Sequence, residues 1–145
     1  MRLKRIRRRV PTLRRAKPAG RSAVIIEDEP TSREILRRMI AREGWSTREA
    51  ENGRVAMAMI AEQPPALILL DLMMPIMDGF AFLDELERHP ALRDIPVIVI
   101  TARDLSIAER ERIGRFRRTM QKGSISRRVL SQILRDLSPA EAHCA

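Results

Sequence analysis

The chain has 145 residues and a formal net charge of +9, and 44% of its residues are hydrophobic. A chain of this length and composition buries one core of ordinary size, so we expect one folded domain and no room for a separate output domain. No apolar stretch reaches the roughly 20 residues that a membrane helix needs, and the N-terminus lacks the apolar centre of a secretion signal. The sequence therefore predicts a cytoplasmic protein without a membrane span.

The positive charge is concentrated at the N-terminus. Nine of the 28 Lys and Arg residues lie within residues 1–20, which contain no Asp or Glu, so the other 19 basic residues balance the 19 acidic ones. This arm has few apolar residues and would bury too little surface to offset the entropy lost on ordering. We expect a disordered basic arm over 1–20, a folded domain over 21–138 and a flexible tail over 139–145.

From residue 22 onward, strand and helix patterns alternate. Five strands are predicted: β1 (23–27), β2 (45–50), β3 (66–71), β4 (96–101) and β5 (117–121). Each strand is followed by a helix: α1 (30–43), α2 (53–63), α3 (79–88), α4 (106–114) and α5 (126–137). Apolar residues recur at helical spacing on the predicted inner faces of α1, α2, α3 and α5, namely Ile35, Leu36, Met39 and Ile40; Val55, Met59 and Ile60; Phe82, Leu83 and Leu86; and Val129, Leu130, Ile133, Leu134 and Leu137.

Continuous apolar runs in the central strands indicate a parallel sheet that is covered by helices on both faces. Right-handed crossovers and a switch point between β1 and β3 favour the strand order 2-1-3-4-5, which is the order of a flavodoxin-like three-layer α/β sandwich. In that order the carboxyl ends of β1 and β3 are neighbours. Glu27, Asp28 and Asp71 should then converge, and a divalent cation such as Mg²⁺ would relieve their mutual repulsion.

The most specific motif is the segment 67–80, which reads LILLDLMMPIMDGF. Asp71 follows the apolar run directly, which places it at the edge of the sheet where open α/β folds bind ligands. Met74-Pro75 favours an extended segment, and Asp78-Gly79 supplies a turn before the next helix. We expect Asp71 to lie on a short, stiff, surface-accessible loop.

This segment resembles the phosphoacceptor segment of bacterial response-regulator receiver (CheY-like) domains, which read D-x-x-M-P-x-M-D-G. The run V-I-I-E-D-E is similar to the acidic end of β1 in that family. Thr101 resembles the family's switch Thr or Ser, and Ala102 the small residue that follows it. Lys122 resembles the family's lysine after β5, which pairs with the phosphoryl group. The resemblance implies that Asp71 is the phosphoacceptor. It also implies that Asp28, Asp71 and the backbone carbonyl of Met73 ligate Mg²⁺, with Glu27 acting mainly through water.

The resemblance further implies a function in a phosphorelay. A histidine kinase or a histidine phosphotransfer protein would supply the phosphoryl group, Thr101 and Lys122 would bind it, and the change would reach a downstream protein through the α4-β5-α5 face. This face carries five arginines, namely Arg110, Arg112, Arg115, Arg117 and Arg118. They would favour an acidic partner, or they simply keep a weak helix soluble. Met73 and Arg103 are unsuited to orient a hydrolytic water, which predicts slow loss of the phosphoryl group.

Two departures from the family pattern lie near β5. The common Lys-Pro pair is replaced by Lys122-Gly123, so the loop into α5 should differ. Thr119 stands where many receivers have an aromatic residue, so a readout by rotation of a tyrosine is absent. The sequence around these positions is similar to receivers that stand alone or end hybrid sensor kinases.

Purely structural interpretations of the same residues stay open. The acids at 27–29 could cap α1, Thr101 could be a strand-end hydroxyl, and Lys122 could be a surface charge. The basic arm could bind nucleic acid or an anionic membrane without sequence specificity. A phosphatase is disfavoured because no second acid lies two residues after Asp71, so we expect no enzyme beyond a domain that assists its own phosphorylation and dephosphorylation.

Overall fold

The computed structural model of the protein describes residues 20–114 and 117–137. The strands within them are β1 (Ser22–Ile26), β2 (Ser46–Ala50), β3 (Leu67–Asp71), β4 (Val97–Thr101) and β5 (Arg118–Gln121). The helices are α1 (Pro30–Arg42), α2 (Gly53–Glu62), α3 (Gly79–Glu87), α4 (Ile107–Ile113) and α5 (Arg127–Leu137). Nearly all of the predicted basic arm and all of the predicted tail lie outside the described residues, so both stay predictions.

All five strands are parallel and lie in the order β2-β1-β3-β4-β5. This confirms the predicted strand order and the flavodoxin-like α/β fold. The register pairs Ile26 with Leu70 and Thr101 with Gln121. The carboxyl ends of β1, β3, β4 and β5 therefore meet at one edge of the sheet.

The core consists of two apolar layers, one on each face of the sheet. Every residue of β1, β3 and β4 is buried, which explains why these strands read as continuous apolar runs. Helices α1 and α5 cover one face through Leu36, Ile40 and Leu134, and α2, α3 and α4 cover the other. The edge strands are less buried, as their polar sequences predict: β5 is mostly exposed, and β2 is partly exposed with only Ala50 buried.

Side-chain caps fix where the helices begin. Asn52, Asp78 and Ser106 each accept a hydrogen bond from a backbone N–H in the first turn of α2, α3 and α4. Glu29 does the same for α1, and Pro30 occupies the first helical position, where a missing N–H has no cost. The predicted helix starts are therefore correct to within one residue.

Three residues assigned to inner helical faces were predicted wrongly. Ile35, Val55 and Val129 are 54%, 41% and 46% exposed, respectively. Each lies beside residues of its own helix that are buried in the core, such as Leu36, Ala56 and Leu130, so the buried face of these helices is narrower than the apolar stripe. No helix among the described residues is both long and apolar enough to cross a bilayer.

Candidate functional site

Three carboxylates meet at the carboxyl edge of the sheet, where the strand order predicts them. Glu27 follows β1 directly and Asp71 ends β3, and the pairing of Ile26 with Leu70 sets the two acids side by side. One carboxylate oxygen from each of Glu27, Asp28 and Asp71 lies within 4.8 Å of the other two. Glu27 is fully buried, whereas Asp28 has solvent access.

Asp71 is less accessible than the motif predicted. It is the last residue of β3 rather than a loop residue, and only 2% of its surface is exposed. The backbone N–H of Met73 donates to Oδ1 at 3.2 Å, and Lys122 Nζ donates to Oδ2 at 3.4 Å. The prediction of a surface-accessible loop was wrong because the pattern shows where a strand ends but not which side chains cover that end.

Lys122 supplies the positive charge of the site. Its Nζ lies 3.1 Å from Glu27 Oε2, and its backbone N–H donates to Thr101 O at 2.7 Å, which holds the end of β5 beside β4. Burial raises the pKa of Glu27 to about 7 from 4.5, and the charge of Asp71 acts in the same direction, while the Glu29 N–H and Lys122 oppose it. Burial lowers the pKa of Lys122, but its hydrogen bond to Glu27 and the nearby negative charges outweigh burial and raise it overall.

The charge balance and the donor set of this cluster fit a divalent cation. Glu27 Oε1 is buried and has no hydrogen-bond partner among the described residues. Three carboxylates face one ammonium group, so negative charge is in excess when all of them are ionised. Carboxylate oxygens at the open end of a sheet are the ligands that Mg²⁺ prefers, together with retained water. The residues at this position therefore suit Mg²⁺.

Thr101 also lies at this edge. It ends β4, its residue is 6% exposed, and the preceding Ile100 pairs with Asp71. Its hydroxyl donates to Arg103 O at 3.0 Å and accepts from Arg103 N at 3.3 Å. The hydroxyl thus closes a turn in its own loop, and it is available for a new acceptor only if that turn opens.

The acidic run at 27–29 combines two functions that the sequence left as alternatives. Glu29 accepts a hydrogen bond from Ser32 N at 2.6 Å and caps α1, which lowers its pKa. Glu27 turns into the site instead, and its backbone carbonyl accepts a hydrogen bond from Arg33 at 2.8 Å. Capping and cluster formation therefore belong to different residues of the same run.

Sequence reasoning missed two features near the site. Arg103 forms a two-point ion pair with Glu109, at the start of α4. The spacing Ser106-x-x-Glu109 is a capping-box signature that could have drawn attention to this helix start. Ile76 has a φ of 68°, a left-handed conformation that a β-branched side chain disfavours, and no sequence signal indicates it.

The fold and site together define a class of protein. It is an α/β domain whose five-stranded parallel sheet carries buried acids, a hydroxyl and a lysine at its carboxyl edge. Residues 23–116 match the family model described as response regulator receiver domain. The chain therefore belongs to the response regulator receiver family, the CheY-like phosphoacceptor domains of two-component signalling. The match ends before Lys122, so the contacts of that residue with Glu27 and Asp71 are an observation separate from the family match.

Known proteins agree with this assignment. The response regulator MprA of Mycolicibacterium vanbaalenii is 38% identical over 87 residues, which is 60% of this chain and 36% of the relative. The signal receiver domain of a histidine kinase from Syntrophus aciditrophicus is 32% identical, with a TM-score of 0.70, and the match covers 82% of this chain and 89% of that domain.

A second similar structure bears on the acidic cluster. The receiver domain of a sensor histidine kinase from Pseudomonas aeruginosa PAO1, solved with a magnesium ion coordinated in its active-site cleft, is 25% identical with a TM-score of 0.72. That match covers 82% of this chain and 98% of that domain. This chain spans only about a third of the length of MprA, so what the rest of such a longer relative does is not attributed to this chain.

Proposed function

We propose that Asp71 accepts a phosphoryl group from a phosphohistidine of a histidine kinase or a histidine phosphotransfer protein. The observation that carries the proposal is the arrangement around Asp71, with Glu27 and Asp28 oxygens within 4.8 Å and Lys122 Nζ at 3.4 Å. A buried carboxylate beside an ammonium group and a candidate cation site is suited to become an acyl phosphate.

In the proposed reaction an Asp71 carboxylate oxygen attacks phosphorus while the bond between phosphorus and the histidine nitrogen breaks. The three equatorial oxygens carry the developing charge, which positive groups must neutralise. Lys122 supplies one positive charge, and the Thr101 hydroxyl supplies a hydrogen bond once its turn opens. Because Lys122 covers Asp71 Oδ2, this ammonium must move from the carboxylate to the incoming phosphoryl oxygens.

We further propose that Asp28, Asp71 and the Met73 carbonyl hold Mg²⁺, with Glu27 acting through water. When bound, Mg²⁺ would neutralise charge on the phosphoryl oxygens. The buried Glu27 Oε1 without a partner supports this assignment, as does the magnesium-containing neighbour from Pseudomonas aeruginosa. The Met73 N–H already holds Asp71 Oδ1, which orients the carboxylate before any cation arrives.

The output surface we propose is the α4-β5-α5 face, but its charge is smaller than the sequence suggested. Arg112 pairs with Asp84 at 3.0 Å, and Arg117 pairs with Glu87 at 2.7 Å. Arg110 and Arg118 are exposed and have no ion pair within the described ranges, whereas Arg115 lies outside them. The remaining free arginines favour an acidic downstream partner. Exposed arginines at the start of α5 extend the same surface, namely Arg127 and Arg128.

We also propose that the acyl phosphate is lost slowly. Met73 is 54% exposed at the rim of the site, and its side chain has no acid or amide group that could orient water. The guanidinium of Arg103 is held by Glu109 and Asp104 O, so it is not directed toward Asp71. Phosphoryl loss measured in Mg²⁺ without partners should take minutes or longer, and a lifetime of seconds would contradict this part of the proposal.

The decisive experiment is intact-mass analysis after incubation with acetyl phosphate and Mg²⁺. The wild type should gain about 80 Da, as expected for one phosphoryl group, and Asp71→Asn should gain nothing. Asp94→Asn is the matched control, because Asp94 is an exposed acid at the opposite end of the sheet, and it should label like the wild type. Labelling of Asp71→Asn at the wild-type level would refute the proposal.

A further inference from the structure

The loop between β4 and α4 contains a continuous chain of hydrogen bonds. It begins at the Thr101 hydroxyl, which bonds to the backbone of Arg103. The Arg103 guanidinium then donates to both carboxylate oxygens of Glu109, at 3.0 Å and 2.7 Å. Glu109 Oε1 accepts from Ser106 N at 2.9 Å, and Glu109 N donates to Ser106 Oγ at 3.1 Å. This series of hydrogen bonds therefore joins the end of β4 to the capping residue of α4.

Helix α4 is held differently at its two ends. Ile113 is the one buried residue of this helix, all seven residues of which are described. Arg112, beside it, pairs with Asp84 and lies 4.6 Å from the centroid of the Phe80 ring. The first turn has no such packing, and Ile107 is 79% exposed. Leu105, just before the cap, is buried in the core, and within the turn itself the side-chain contacts are the capping box and the ion pair that extends it to Arg103.

The Thr101 hydroxyl cannot serve two acceptors at once, because a hydroxyl has a single proton. In this structure that proton is donated to Arg103 O. If Thr101 donates to a phosphoryl oxygen on Asp71, the Arg103 carbonyl loses its partner and the turn loses the bond that closes it. Arg103 is then free to shift, and Glu109 is the group to which its side chain is attached.

We propose that Arg103 and Glu109 are positioning residues that transmit the state of the Thr101 hydroxyl to the first turn of α4. The trigger rests on the proposed function of Asp71, but the link itself is a property of the unphosphorylated protein. Thr119, which stands in the place of the common aromatic residue, is an exposed, small side chain. The polar link offers this chain a route to α4 that needs no aromatic side chain.

The link is tested first without any phosphoryl group, by amide hydrogen exchange at the start of α4. The N–H of Arg110 makes a first-turn bond, to Ser106 O at 2.9 Å. Arg103→Gln and Thr101→Ala should each raise its exchange rate about fivefold, the scale of one net hydrogen bond. The double variant should exceed the larger single effect only slightly, since both residues act in series, and Arg103→Lys should recover part of the protection.

The matched control is Arg118→Gln, which removes the same charge from an exposed arginine of β5 that has no ion pair in the described part of the chain. It should leave exchange at Arg110 unchanged. Wild-type exchange in Arg103→Gln, or effects that simply multiply in the double variant, would overturn the proposal.

The trigger is tested in the same samples with beryllofluoride and Mg²⁺. Bound fluoride in the fluorine spectrum reports occupancy at Asp71, and amide shifts report the first turn of α4. At equal occupancy, the shift change at Ile107 in Arg103→Gln should be about half the wild-type value or less. A wild-type shift change at Ile107 in Arg103→Gln, at full occupancy, would overturn the proposal that Arg103 and Glu109 transmit the state of Thr101. Absence of bound fluoride would instead overturn the proposed function and its trigger, while hydrogen exchange decides the link.

Discussion

A single glycine determines how closely α3 approaches the end of β3. The N–H of Gly79 donates to Leu72 O at 3.0 Å. A Cβ atom at position 79 would lie 2.6 Å from Leu72 Cα and 3.0 Å from Asp71 O, both of which are backbone atoms that cannot rotate away. The Asp-Gly pair of the motif therefore does more than form a turn, because it lets the helix start directly against the proposed phosphoacceptor.

The substitution Gly79→Ala should lower the free energy of unfolding by about 1–3 kcal/mol, because the added methyl group overpacks a rigid contact. Urea denaturation measures this change. Gly123→Ala is the matched control, since a Cβ there would meet nothing within 4 Å and the residue does not have a positive φ. Equal stability of the two variants would show that the backbone at Leu72 adapts easily.

Ile76 stores strain on the same loop. Its φ of 68° is left-handed, and its side chain is 73% exposed, so little buried surface offsets the strain. Ile76→Asn should raise the free energy of unfolding by about 0.5–1 kcal/mol, because asparagine tolerates this conformation better. Thermal denaturation measures the gain. Ile107→Asn, at a residue that is 79% exposed without a positive φ, should give no gain, and a similar gain there would argue against strain as the cause.

At the scale of secondary-structure elements, α4 differs most from its neighbours. It is the shortest of the described helices, with seven residues, and buries only Ile113. Helices this short are marginal on their own, so local bonds determine whether the first turn forms. Hydrogen bonds from Arg103, and then from Ser106 N, hold the pKa of Glu109 at about 2, below its ordinary value of 4.5.

This lowered pKa predicts a pH-dependent contribution to stability. A carboxylate with a depressed folded-state pKa stabilises the protein above 4.5, and the stabilisation is lost as pH falls toward 2. Glu109→Gln should therefore be less stable than the wild type at about pH 6, and the difference should shrink at about pH 3. Urea denaturation at both values measures it.

The control for this prediction is Glu111→Gln on the same helix. It removes one exposed carboxylate without breaking any bond that the described residues make. A difference between wild type and Glu109→Gln that stays constant with pH would mean that the ion pair does not act through the charge of Glu109.

At the scale of the whole molecule, four strand ends bring together residues that are distant in the chain. Lys122 reaches Glu27 across 95 positions and Asp71 across 51 positions. The parallel order makes this convergence possible, because every carboxyl end lies at the same edge. Repulsion among the acids is then built into the native state, and a cation that binds only this state should stabilise it.

Mg²⁺ should accordingly raise the free energy of unfolding by about 1.4 kcal/mol at ten times its dissociation constant. Asp28→Asn should lose most of this stabilisation, since it removes a proposed ligand that has solvent access. Glu51→Gln is the matched control, because Glu51 follows β2 at the same edge of the sheet but is not part of the cluster. Thermal denaturation with and without Mg²⁺ measures both, and equal stabilisation of the two variants would contradict the ligand assignment.

Most of the fold follows from local patterns in the sequence. The apolar runs at β1, β3 and β4 predicted a sheet buried on both faces, and turn signals such as Asn52-Gly53 located the helix starts. The same patterns placed Glu27, Asp71 and Lys122 at strand ends. Strand-end position and strand order are enough to predict that such residues converge, because parallel strands of similar length end together.

Only the tertiary structure decided how those residues contact one another. Three features depend on loops, whose paths no periodic pattern encodes. They are the choice of the Asp71 oxygen that faces Lys122, the depth at which Asp71 is buried, and the hydrogen bonds between Thr101 and Arg103. The exposure of Ile35 was likewise decided by packing between elements, and the left-handed backbone of Ile76 belongs to the path of its loop. Local sequence determines where an element starts and which side is apolar, whereas distances of a few ångströms between separate elements arise from the packing of the whole domain.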